Sequence, residues 1–113
     1  MEKIVKQGLL YDFYGELLTE HQRKIYESAV YDDMSLTEIA DENGISKQGV
    51  HDLIKRCTRS LQEYENKLHM IKRFEAIRSE AMALKHVAST ENDKESLVRE
   101  VDQISDRILE ELG

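Results

Sequence analysis

Apolar residues recur along this chain at three- and four-residue spacing, and breaks in that rhythm divide it into helices. Val5, Leu9, Phe13 and Leu17 step by four, with Leu10 and Tyr14 widening the stripe. The spacing predicts a first amphipathic helix from about Lys3 to Leu18. Thr19 followed by Gln22 is a capping-box pair. It predicts the start of a second helix whose buried side is Ile25, Ala29 and Val30, flanked by Tyr26. Asp32 and Asp33 then lead into a loop.

The stretch from Ser35 to Arg59, SLTEIADENGISKQGVHDLIKRCTR, carries two helix starts around one sharp stop. Ser35 can cap a third helix, and Glu38 completes its capping box, worth roughly 1 kcal/mol. Ile39 and Ala40 face inward, and a residue as small as Ala40 lets two helices cross closely. Gly44 ends that helix, because the turn needs a left-handed conformation that costs an ordinary residue roughly 1–2 kcal/mol. Ile45 plugs the turn. Ser46 caps the next helix, with Val50, Leu53, Ile54 and Cys57 inward. Caps, glycine and small residue in one register predict a helix-turn-helix.

No glycine or proline follows until Gly113. Ile54, Cys57, Leu61, Tyr64, Leu68 and Ile71 form a heptad-like seam, after which the register slips to Phe74, Ile77, Ala81 and Leu84. An unbroken helix from Ser46 to Leu84 would span about 58 Å. Either it breaks near Asn66, or it projects and pairs with a second chain. The seam residues Leu61, Tyr64, Leu68 and Ile71 are the candidate dimer contacts. The polar run ASTEND at 88–93 reads as a loop. Asn92 with Glu95 then starts a last helix, striped by Leu97, Val101, Ile104, Ile108 and Leu112.

The absence of proline and the helical spacing together predict an all-α fold. No apolar run reaches membrane-spanning length, and the N-terminal segment lacks a signal peptide's apolar core. The expectation is a cytoplasmic protein without membrane association, which a single Cys57 suits. The net charge of −7 is uneven: residues 91–113 carry 8 acidic and 3 basic side chains. Nucleic-acid-binding domains are usually basic, so this balance argues against tight, autonomous DNA binding.

Catalytic constellations are absent from the sequence. His21, His51, His69 and His86 show no metal-ligand spacing, and there is no phosphate-binding glycine loop or nucleophile elbow. No enzyme activity, metal or cofactor is expected. Recognition chemistry falls on the second helix of the motif. Its outward face presents Lys47, Gln48, His51, Asp52 and Lys55, with Arg56 and Arg59 along the flank. Gln48 suits an adenine edge and Asp52 a cytosine amino group, while the lysines suit guanine or phosphate.

The stretch LTEHQRKIYESAVYDDMSLTEIADENGISKQGVHDLIKRCTRSL, from Leu18 to Leu61, resembles region 4 of bacterial sigma factors. Over nearly its whole length the chain looks closer to the small YlxM-like family of Gram-positive bacteria. The segments KQGLLYDFYGELLTEHQ, SLTEIADENGISKQGVHDLIKR and LHMIKRFEAI carry that resemblance. It implies an all-α, sigma-region-4-like helix-turn-helix bundle with a long helical C-terminal extension. It also implies a cytoplasmic regulatory role in the signal recognition particle pathway. The expected domains are 1–64, containing the motif at 35–59, and 65–113, an extension serving dimerisation and carrying the acidic tail. Two functions follow: a regulatory DNA- or RNA-binding homodimer, or a protein-interaction adaptor in which the motif is only a scaffold.

Overall fold

The helices that start at Glu20, Leu36 and Lys47 are each fixed by the side chain just before them. The computed structural model describes residues 3–113, with side chains from residue 5 onward. α1 is Lys3–Tyr14, α2 Glu20–Val30, α3 Leu36–Asn43, α4 Lys47–Leu68, α5 Met70–Thr90 and α6 Lys94–Leu112. No strand occurs among the described residues, so the fold is all-α. The chain divides into two units, one ending at His69 and the other Met70–Gly113.

In the first unit, α4 is the hub: α1, α2 and α3 each pack against it. Thr19 and Ser35 form complete capping boxes, each hydroxyl accepting from the third helical N–H while Gln22 and Glu38 reach back. Gly44 adopts φ 66, the left-handed stop that the sequence demands. Ile25, Ile39, Ala40 and Val50 form a sealed core, with Ile45 and Leu53 packed on its edge. Sealing a side chain the size of isoleucine contributes about 1.5–3 kcal/mol.

Two expectations for α1 fail. The α-helix stops at Tyr14 and tightens into a 3-10 turn, Gly15–Leu17, instead of running to Leu18. Gly15 sits under the Tyr11 ring, where an added Cβ would lie 2.8 Å from the ring, and glycine weakens the α-helical turn. The buried stripe is also shifted: Leu9 and Phe13 are only half-buried, and the deepest residues are the widening pair Leu10 and Tyr14 with Leu18. Val5 and Leu17 are 53% and 56% exposed. Both rows have fourfold spacing, and the partner on α4 decides between them: Tyr14 Oη donates to Glu65 at 2.6 Å. Tyr26, expected on the flank of α2, is fully buried.

α4 is about 33 Å long at 1.5 Å per residue. It ends at Leu68 with His69 as its cap, a break within three residues of Asn66, and does not continue to Leu84. Asn66 remains helical, its Oδ1 accepting from Gln62 Nε2 at 2.9 Å. His69 takes the left-handed stop, φ 56, with its N–H on Glu65 O at 2.8 Å. No glycine marks this position, so the sequence carried no punctuation for it.

The second unit is a hairpin of α5 and α6 joined by residues 91–93, a link short enough to force an antiparallel pair. Ile104 is its buried centre, and Arg107 Nε meets Glu80 Oε2 at 2.9 Å across the pair. The loop expected at 88–93 is narrower. Ser89 and Thr90 donate to His86 O at 2.9 and 2.8 Å and stay within α5. Asp93, not Asn92, caps α6, accepting from Ser96 N at 3.2 Å and Ser96 Oγ at 2.8 Å. The Ser96 hydrogen bonds hold the Asp93 carboxyl below its ordinary range. Val98, Leu109 and Leu112 on α6 remain 60%, 65% and 66% exposed.

Candidate nucleic-acid interface

The candidate interface begins with how α4 starts. Ser46 has extended backbone, φ −77 and ψ 158, and its Oγ accepts from Gly49 N at 2.9 Å. Val50 and Cys57 then turn into the core, which drives the opposite face of α4 into solvent. Lys47, Gln48, His51, Asp52, Lys55, Arg56 and Arg59 are all exposed, and one helix presents them together.

They form two i, i+4 rows. Gln48, Asp52 and Arg56 make one row. Gln48 Nε2 donates to Asp52 Oδ1 at 2.9 Å, so both side chains enter the row already engaged. A bidentate contact from Gln48 to adenine must open that bond or use the second amide hydrogen. His51, Lys55 and Arg59 make the other row. No ion pair joins Lys47, Lys55, Arg56 or Arg59 to a carboxylate among the described residues.

The His51 row borders a groove of about 860 Å³ between α1 and α4, lined also by Leu36. Lys6 and Gln7 form its α1 wall. Sequence reasoning missed these residues, since Gln7 and Thr58, which meet in the groove at 3.4 Å, are 51 positions apart. The helical stripe of α1 was the only signal, and it carries no information about which helix lies opposite.

The back of α4 is held by hydroxyl chemistry. Thr58 Oγ donates to Ile54 O at 2.9 Å, so its 2.9 Å contact with Tyr26 must be donated by the tyrosine. Tyr11 stacks on Tyr26 with centroids 5.7 Å apart, and Tyr31 meets Tyr11 edge-on at 5.6 Å. Tyr11 donates to Glu27, and Tyr31 to Asp12. Burial, then the Glu27 hydrogen bond, pushes the Tyr11 phenol up to about 12. Burial likewise raises Tyr31, with Asp12 adding to it, and raises Tyr26. The most aromatic part of the chain is thus largely internal structure. Cys57 is a buried free thiol, raised by burial and lowered slightly by Arg56.

The seam expected for dimerisation is divided. Leu61 is fully buried, and Tyr64 lies 6.1 Å from Tyr14, ring to ring. Leu68 is 49% exposed, and Ile71 falls after the break at His69. Among the described residues no cluster of three metal-ligating side chains occurs, and no helix is long and apolar enough to cross a membrane.

Two capped helices about a left-handed glycine, the second exposing a polar and cationic face, define a helix-turn-helix protein. Residues 1–101 match the model of a family described as "Putative helix-turn-helix protein, YlxM / p13 like". A UPF0122 protein of Shouchella clausii is 38% identical over 104 residues, covering 92% of this chain and 95% of the relative. One of Thermoanaerobacter sp. strain X514 is 41% identical over 109 residues, covering 93% and 92%. One of Clostridium botulinum is 47% identical over 73 residues, covering 65% and 67%. The chain belongs to this UPF0122, YlxM/p13-like family.

Proposed function

We propose that this is a non-enzymatic, cytoplasmic regulatory protein that binds nucleic acid, DNA or RNA, through the outward face of α4. The observation that carries this reading is the side-by-side exposure of the Gln48–Asp52–Arg56 and His51–Lys55–Arg59 rows on a capped second helix. Lys47, Lys55, Arg56 and Arg59 would meet phosphate or guanine, and Gln48 and Asp52 base edges. The resemblance to YlxM-like proteins supports a role in the signal recognition particle pathway.

The test is Lys47→Ala with Lys55→Ala, titrated against nucleic acid over a salt series. Each lost phosphate contact should flatten the log–log salt slope by roughly 0.9 for duplex DNA. Unchanged affinity and slope would remove this reading.

A second reading, a protein-interaction adaptor, is favoured by α6. Its surface is acidic, and it keeps Val98, Leu109 and Leu112 uncovered. In that reading this surface docks components of the targeting machinery; we separately propose that the extension from residue 65 onward serves homodimerisation through its uncovered apolar side chains. Of the expected seam residues, Leu68 keeps an exposed side chain while Leu61 is buried.

A further inference from the structure

We infer that the groove between α1 and α4 is a binding site for a nucleoside phosphate, either free or carried on a single strand. It shares His51, Lys55 and Arg59 with the proposed duplex-reading face but does not depend on duplex binding.

Size is the first argument. The groove, open to solvent along one side, offers about 860 Å³, within the about 300–1,000 Å³ of small-molecule sites. Its chemistry is divided in the way a nucleotide is divided. Leu10, Leu36 and Ile54 supply an apolar floor for the faces of a base. Lys6, Lys55 and Arg59 stand on the rim with His51, against the single carboxylate of Glu63. In a chain of net charge −7, that local excess of cations selects an anionic ligand. An apolar ligand would leave the rim unused, and a bare phosphate would leave the floor unused.

The amides on the α4 wall sharpen the class. Gln62 Nε2 donates to Asn66 Oδ1 at 2.9 Å. That bond leaves Gln62 Oε1 as an acceptor beside Asn66 Nδ2 as a donor. Such a pair matches a base edge that offers a donor next to an acceptor, as the amino group and ring nitrogen of adenine or cytosine do. The groove is also held in shape: Thr58 is bonded to Ile54 and Tyr26, and to Gln7 on the α1 wall. The groove therefore exists before any ligand arrives, which lowers the ordering cost of binding.

The experiment is a titration of the full-length, nitrogen-15-labelled chain with AMP, with a single-stranded oligoadenylate and with duplex DNA, read by amide chemical shifts. Saturable shifts at Thr58, Gln62 and Asn66 with AMP support a free nucleotide as ligand. The same shifts with the oligoadenylate alone support a nucleotide on a strand. Gln62→Ala with Asn66→Ala should weaken the effective ligand about tenfold. Lys6→Glu, which changes the rim and leaves the floor intact, should weaken it further. Silence of the groove with both ligands, or saturation that neither variant changes, overturns the proposal. Duplex shifts confined to Gln48, Asp52 and Arg56 with a silent groove would overturn it while sparing the duplex reading. Groove saturation with no duplex response would do the reverse.

Discussion

Gly44 and His69 both occupy the left-handed region, φ 66 and φ 56, yet only one is a glycine. A Cβ built on Gly44 meets nothing within 4 Å, so Gly44→Ala should lose only the backbone term, about 1–2 kcal/mol. His69→Gly should move the other way and stabilise by about 1 kcal/mol, the strain relieved exceeding the added chain entropy. Urea denaturation checks both, as opposite shifts of midpoint with little change in slope. Titration provides a second residue-level test. Tyr11, Tyr26, Tyr31 and Cys57 all have folded-state values raised by burial. Their neutral forms are favoured in the fold, so their contribution is intact below the unfolded values, about 8.5 for thiol and 10 for phenol. It is lost as pH rises through that range toward the folded values. The melting temperature should fall progressively between about pH 9 and pH 12, and Tyr11→Phe should blunt the fall.

At the scale of elements, the helix starts were legible because a cap and its target lie within three residues of each other. Ser35 and Glu38 show this, each accepting a backbone N–H of the other's residue at 3.1 and 3.2 Å. Ser35→Ala should cost about 1 kcal/mol, and Glu38→Ala less. Combining them should cost less than the sum, because each bond steadies the other. A double-mutant cycle in urea measures that coupling. Helix ends and faces were less legible, for the same reason inverted. Whether α1 buries the Leu10 row or the Leu9 row is decided by Thr58, Tyr64 and Glu65, far along the chain. At the start of α6, Asn92 and Asp93 are both good caps, and only Asp93 has a hydroxyl, Ser96 Oγ, three residues on to donate to it. The stop at His69 has no residue-type signature at all.

For the whole molecule, the acidic tail that argued against DNA binding belongs to a different unit from the motif. The average charge therefore concealed a cationic rim made of Lys6, Lys55 and Arg59. The outward face of α4 could be read from its own helical period, whereas the groove needed α1 and α4 to be brought together. If the chain is a homodimer through α6, Leu109→Asp with Leu112→Asp should reduce its sedimentation to that of a monomer. A wild-type monomer at micromolar concentration would end the dimer proposal, and both leucines are exposed enough for the variant to fold. The three bonds on Thr58 carry one more consequence. A cylinder packed only by grease can roll; one keyed by a hydroxyl to Gln7 and Tyr26 has a fixed angular phase. Which side chains α4 turns toward a target is thus set in part by Tyr26, a residue with no exposed surface and no contact with anything α4 would read.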